Sequence, residues 1–269
     1  MTQEITSAAN PLIKRFRLLA DRRHRRREGA FVVQGVQPVW QAVEAGADIE
    51  VLIVAPDLLT LPAARQMVAA QEQRGRRVVR VPAALFARLA GRDGPGGLAA
   101  IVTIAPSPLA GLTVAPGSVF MALHEVGNPG NLGAIVRTAS AAGAGGVILV
   151  GACADPHDPA AVKASMGAIF SVPVAAAADA AEFFDWAAAA AVRVAVTSAR
   201  GAATLWESPL PLPAVLLLGS EGAGLPADLL ARGDLQLRIP MTGTAESLNL
   251  AVAAGILLYE TVRRSASAS

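Results

Sequence analysis

A single cysteine, Cys153, rules out an internal disulfide. With only His157 nearby it also lacks the partners of a metal site, so a buried or loop thiol is expected and no metal is called for. Apolar runs such as 215–218 and 250–258 fall short of the roughly 20 residues a membrane span needs. The opening MTQEITSAANPLIKRF has no continuous apolar stretch of the kind a secretory signal carries, and a soluble, cytoplasmic protein is the expectation. Several catalytic signatures are missing too. There is no G-x-x-x-x-G-K-[ST] phosphate loop and no H-E-x-x-H metal helix, and Gly219, Gly222 and Gly224 stand in the wrong order for the dinucleotide fingerprint. No G-x-S-x-G nucleophile elbow occurs either. A hydrolase, an NTPase or a metalloenzyme would lack its usual machinery.

What is present is apolar and unevenly charged. Of 269 residues, 53% are hydrophobic and 16% charged, enough for one large domain or two smaller ones. Residues 1–104 hold 15 Lys and Arg against 9 Asp and Glu, whereas 105–269 hold 8 against 12, so the basic character belongs to the N-terminal part. Within it Arg22, Arg23, His24, Arg25, Arg26 and Arg27 follow a helix-like segment whose Leu12, Phe16, Leu19 and Ala20 share one face. Such a run is either a solvated face or a phosphate contact, since guanidinium groups bind phosphate bidentately.

Residues 1–104 alternate helix (11–22, 36–45, 63–74) with strand (31–34, 51–55, 78–81), which predicts a small three-layer α/β domain. A turn-rich GRDGPGG at 91–97 precedes a last strand at 98–104. Residues 105–117, punctuated by Pro106, Pro108, Gly111, Pro116 and Gly117, read as a linker. From 118 to 269 strands at 119–123, 147–150, 172–175, 193–197, 215–218 and 236–239 are interleaved with helices at 132–142, 159–165 and 180–191, and a last helix begins near Ser247. Short β-branched strands separated by helices predict a parallel sheet covered on both faces. Ligands of such sheets bind outside the carboxyl ends of the strands.

Four polar, Gly-rich loops leave those ends, at 124–131, 197–201, 219–224 and 240–247. In the first, Asn131 is placed as a helix cap. Leu132, Ile135, Val136 and Ala139 then form the core stripe, and Arg137 points about 150° away from it, either solvated or functional. In the third, Glu221 stands between glycines that permit tight turns and close backbone approach to a ligand. In the fourth, Ser247 and Asn249 open an almost wholly apolar helix, where they could cap it or hold a ligand.

Taken in order, NPGNLGAIVRT, LLLGSEGAGLP and IPMTGTAESLNLAVAAG resemble the SpoU (TrmH) family of RNA ribose methyltransferases, of the SPOUT class. The opening ITSAANPLIKRFRLL and the strand FVVQG are similar to that family's substrate-binding domain, itself akin to small ribosomal-protein-like RNA-binding folds. The resemblance implies S-adenosylmethionine as cofactor, a deep trefoil knot near the C-terminus, an exception to the rule against threaded chains, and a homodimer. It implies that Asn131, Arg137, Glu221, Ser247 and Asn249 are the functional polar positions. Cofactor contacts would fall on Thr197, Leu218, Gly219, Ile239, Met241, Ser247 and Leu248, and RNA contacts on Lys14, Arg15, Arg22, Arg23, Arg25, Arg26 and Arg27. The implied reaction is methyl transfer to a ribose 2′-hydroxyl of structured RNA, large-subunit ribosomal RNA above all. Transfer RNA as substrate, a catalytically silent RNA-binding homologue and a nucleotide-dependent oxidoreductase are the alternatives. His124 and Glu125 depart from the family's usual single acidic residue before the first loop.

Overall fold

In the strand AFVVQ, Ala30 and Val32 pack with one apolar cluster while Phe31 and Val33 pack with another, the period-two signature of a sheet covered on both sides. That strand belongs to a computed structural model describing residues 3–90, 96–199, 201 and 203–267. Residues 91–95 of the expected turn, and Arg200 in the second loop, lie outside the described residues. The chain divides into two compact units, residues 1–105 with 157–171, and residues 106–156 with 172–269.

The first unit runs β1 (Gln3–Glu4), α1 (Pro11–Leu18), α2 (Arg22–Glu28), β2 (Ala30–Gln34), α3 (Val36–Glu44), β3 (Ile49–Val54), α4 (Pro62–Gln73), β4 (Val78–Arg80), α5 (Ala83–Ala90) and β5 (Leu98–Thr103). Its sheet, ordered β1-β4-β3-β5-β2, is parallel from β1 to β3 and antiparallel through β5 to β2. Leu12, Ile13 and Phe16 of α1 with Leu85 and Phe86 of α5 cover one face; Val39 of α3 and Val68 of α4 cover the other. This is the expected three-layer arrangement.

The single helix expected over 11–22 is in fact two. Helix α1 stops at Leu18, and α2 starts afresh behind Asp21, whose carboxylate accepts from the backbone N–H groups of Arg23 and His24. Gly29, in a left-handed conformation at φ 61°, ends α2. Ala20, expected on the apolar face, is exposed, and Ile13 takes that role. Helices α2 and α5 escaped the sequence reading.

The second unit holds β6 (Val119–His124), α6 (Pro129–Ala141), β7 (Gly146–Val150), β8 (Val174–Ala177), α8 (Ala180–Ala189), β9 (Arg193–Thr197), β10 (Ala203–Thr204), β11 (Ala214–Leu218), α9 (Ala227–Arg232), β12 (Leu235–Arg238) and α10 (Leu250–Ser267). Helix α7 (Pro159–Ser165), between β7 and β8 in sequence, packs in the first unit, where Val162 joins the Phe31 cluster. The seven strands, ordered β10-β12-β9-β11-β6-β7-β8, are all parallel. Phe120, Ala122, Val194, Val196, Val215 and Leu217 face α8 and α9. Helices α6 and α10 pack on each other, and α10 also meets β6 and β11. Because the strands are parallel, the loops after β6, β9, β11 and β12 leave from one edge of the sheet.

Candidate active site

The segment after β6 turns sharply at Glu125, which adopts a left-handed backbone at φ 52°. Asn128, rather than Asn131, caps α6: its Oδ1 accepts from the backbone N–H of Asn131 at 3.1 Å, and Pro129 fills the first helical position. Asn131 is thereby freed from capping. The Asn-Pro pair was the signal that could have located this cap.

Asn131, one turn into α6, joins three loops. Its Nδ2 donates to Oε1 of Glu221, in the loop after β11, and its Oδ1 accepts from Nδ2 of Asn249, in the loop after β12, at 3.2 Å. The Oδ1 of Asn249 accepts in turn from the backbone N–H groups of Ala251 and Val252 at 2.9 and 3.4 Å, so Asn249 is the cap of α10. Ser247 makes no such bond; it is exposed and has no side-chain partner among the described residues. The cap expected at Ser247 or Asn249 is Asn249, because α10 begins at Leu250.

Arg137 lies six residues beyond Asn131, about 9 Å along α6 at 1.5 Å per residue. It is exposed opposite the buried Leu132, Ile135, Val136 and Ala139, and its guanidinium has no partner among the described residues. Helical side chains lean toward the N-terminus, which on α6 is the end holding Asn131. Six residues also turn it about 120° round the helix from Asn131; a charge that the chain leaves unpaired there is available to an anionic ligand.

The loop after β11 is built around close backbone approach. A Cβ on Gly219 would lie 2.1 Å from the carbonyl carbon of Gly224, and Gly222 and Gly224 have φ of 89° and 70°. Gly219 and Leu218 are buried, so the residues expected to touch a cofactor there can offer it backbone groups. Thr197 spends its hydroxyl on the carbonyl of Leu217 at 3.1 Å. Ile239 is half-buried, and Met241 and Leu248 expose apolar side chains. From Met241 to Leu248 the backbone has no hydrogen-bond partner among the described residues, leaving a run of donors and acceptors open in the loop after β12. Open main-chain groups, two exposed apolar side chains and a tight glycine turn suit a cofactor carrying an amino acid and a purine, as S-adenosylmethionine does.

Of the RNA-binding candidates, Arg25 is withdrawn: it is 1% exposed and donates to the carbonyls of Leu19 and Ala20 at 3.0 and 2.7 Å, with Asp158 at 3.4 Å. Arg15 is held between Glu28 and Glu50 at 2.6 and 2.5 Å. That pairing, through the Arg15 hydrogen bond first, keeps the Glu28 carboxyl below its usual range. Arg27 meets Glu28 at 3.2 Å. Lys14, Arg22, Arg23 and Arg26 are exposed with no side-chain partner among the described residues.

No group of three or more His, Cys, Asp or Glu among the described residues is placed to hold a metal. Cys153 is buried, and burial pushes its thiol up from the usual value. No described helix is long and apolar enough to cross a membrane.

Residues 118–259 match the SpoU rRNA Methylase family, and residues 10–100 match the MRM3-like substrate binding domain. A 23S rRNA (uridine(2479)-2′-O)-methyltransferase of Streptomyces viridochromogenes is 32% identical over 92% of this chain and 87% of its own. A 23S rRNA (guanosine(2553)-2′-O)-methyltransferase of Bacillus subtilis is 38% identical over 39% of this chain and 42% of its own. Among solved structures, an AdoMet-bound rRNA methyltransferase from Sinorhizobium meliloti superposes with a TM-score of 0.88 at 37% identity, covering 98% of both chains. The AdoMet complex of AviRb from S. viridochromogenes gives 0.85 at 30% identity over 96% of this chain and 99% of that one. With more than half its length matched by the family model and a full-length relative at that identity, the chain belongs to the SpoU rRNA methylase family.

Proposed function

We infer that this protein is an S-adenosylmethionine-dependent RNA methyltransferase that modifies a ribose 2′-hydroxyl of large-subunit ribosomal RNA, working in the cytoplasm as a homodimer. The observation that carries the reading is the Glu221–Asn131–Asn249 chain of hydrogen bonds, which draws three loops together on the rim, with Arg137 unpaired on the same helix as Asn131. A silent homologue would have no need to keep this set intact.

S-adenosylmethionine, when bound, supplies an electrophilic methyl on a sulfonium. The residues of the chain handle the other reactant. A ribose hydroxyl is a poor nucleophile at neutral pH, so it must be aligned and its proton taken up. Arg137 stays protonated and cannot itself be the base. It binds the phosphate beside the target ribose and lowers the pKa of the hydroxyl electrostatically, with that phosphate or a water accepting the proton. Asn131, Glu221 and Asn249 fix the loops of the rim, and Ser247 joins the cofactor loop to the substrate. Alignment of this kind is worth about 7 to 11 kcal/mol in well-oriented reactions.

The exposed cations Lys14, Arg22, Arg23 and Arg26 anchor the RNA backbone, in keeping with a substrate-binding role for residues 1–104, joined by a 105–117 linker to a catalytic part over 118–269. The implied trefoil knot is consistent with the sheet order, since β11 lies between β9 and β6, and β12 between β10 and β9. The reading is tested by single-turnover methylation of an unmodified 23S rRNA transcript. Arg137→Ala is expected to slow the reaction by about a hundredfold or more, the size of losing one transition-state donor, while S-adenosylmethionine binds as in the wild type. A wild-type rate in the variant would remove Arg137 from the chemistry.

A further inference from the structure

Of the three tryptophans, two are accounted for by packing or hydrogen bonding. Trp186 packs edge-on against Phe120 with ring centroids 5.5 Å apart, and Trp40 donates from Nε1 to Glu44 at 2.6 Å. Trp206 does neither. It is 49% exposed, with no ring or hydrogen-bond partner among the described residues.

The backbone that presents it is tightly held. Leu205, 1% exposed, anchors the turn in the core, and its N–H donates to the carbonyl of Arg238 at 2.9 Å. The N–H and Oγ of Ser208 both donate to the carbonyl of Thr204, at 3.1 and 2.7 Å, while the hydroxyl of Thr204 donates to Glu207 at 2.7 Å. Arg264 donates to the carbonyls of Leu205 and Ser208 and is itself held by Glu260. A turn held in this way presents the half-exposed indole in a fixed place, ready for a ring to stack on it.

Its position says what. Strands β10 and β12 are parallel, with Thr204 in register with Arg238, so Trp206 follows the carboxyl end of β10 on the same rim as the loop that begins at Ile239. Arg238 is half-buried and its guanidinium has no partner among the described residues. An exposed indole and an unpaired guanidinium at neighbouring strand ends are the two elements with which proteins hold single-stranded nucleic acid, stacking for the base and charge for the phosphate. The neighbouring Glu207 carboxylate is exposed and accepts from the Thr204 hydroxyl through one oxygen, Oε2. Four strand spacings, about 19 Å, separate β10 from β6, a span that a few nucleotides of single strand bridge.

We propose that Trp206 and Arg238 bind a nucleotide of the substrate RNA flanking the methylated one, the indole stacking on its base and the guanidinium taking its phosphate. The proposal rests on the RNA methyltransferase reading above. Its test uses the full chain as wild type, Trp206→Ala, Trp206→Phe and Arg238→Gln, with an unmodified 23S rRNA transcript as probe. RNA affinity is measured across salt concentrations, S-adenosylmethionine affinity by calorimetry and mass by sedimentation. Trp206→Ala should weaken RNA binding about 5- to 150-fold, the range of one base stack, and Trp206→Phe should restore it to within about threefold. Arg238→Gln should flatten the slope of log affinity against log salt by about 0.7. Cofactor affinity and mass should not move in any variant. Unchanged RNA affinity in Trp206→Ala overturns the proposal, and so does a loss confined to cofactor binding or to subunit association. A wild-type protein that binds the transcript and does not methylate it would instead sink the methyltransferase reading, leaving the stacking contact to stand or fall on the affinities.

Discussion

Arg25 gives up its hydration to donate to two helix-end carbonyls and to Asp158, whereas Arg22, Arg23 and Arg26, on the same short helix, keep theirs. These two uses of one residue type separate experimentally. Arg25→Ala is expected to lower stability by about 3 kcal/mol, because it strands a carboxylate and two carbonyls, seen as a lower urea midpoint. Replacing Arg22, Arg23 and Arg26 together with Ser should leave the midpoint in place and reduce the salt slope of RNA binding by about two to three, if each meets one phosphate. A slope unchanged in the triple variant would take this helix out of the RNA interface. In sequence the five arginines from Arg22 to Arg27 look alike. Only the cap Asp21 and the left-handed Gly29, which set the phase of the helix, decide that Arg25 turns inward, and both fall outside the run that draws the eye. Asn131 shows the converse: its importance was legible, but its role as a bridge was not, since Glu221 and Asn249 lie 90 and 118 residues away.

At the scale of elements, the long periodic ones were read well. The core stripe of α6 is the buried set Leu132, Ile135, Val136 and Ala139, and the strands expected after residue 118 fall within a residue or two of their limits, whereas the two-residue strands β1 and β10 were not foreseen. Short helices such as α2 and α9 were not legible, because six or seven residues hold too little periodicity and are made by caps and tertiary packing. Helix α10 combines both cases. Its apolar character was plain, yet its C-terminal end is tied down by a buried carboxylate: Glu260 accepts from Arg263 at 2.8 Å and from Arg264 at 2.7 Å, and Arg264 reaches the Trp206 turn. The hydrogen bond from Arg263, helped by Arg264 and opposed by burial, lowers the Glu260 carboxyl from 4.5 to about 2. A lowered carboxyl stabilises the fold fully above its unfolded value and loses that contribution as pH falls through the folded one. Glu260→Gln should therefore be less stable than wild type at pH 7, and the gap should close between about pH 4.5 and 2. Denaturation curves whose separation stays constant across that window would show that Glu260 does not titrate as described.

For the molecule as a whole, α10 leaves Val252 at 51%, Tyr259 at 52% and Val262 at 38% exposed along one side while Ala254, Leu257 and Leu258 are buried against the sheet and α6. Exposed apolar residues at helical spacing are what the proposed homodimer would cover. Val252→Glu with Tyr259→Glu should shift sedimentation from dimer to monomer without unfolding the chain; a wild-type protein that sediments as a monomer at micromolar concentration would remove the dimer from the account. The central claim is the chemistry of the rim. It is tested most directly by mass spectrometry of nucleosides from an unmodified 23S rRNA transcript incubated with the protein and S-adenosylmethionine. The account predicts one 2′-O-methylated nucleoside, formed by the wild type and formed about a hundredfold or more slowly by Arg137→Ala; a methyl group on a base, or no methylation by a protein shown to bind both cofactor and RNA, would contradict it.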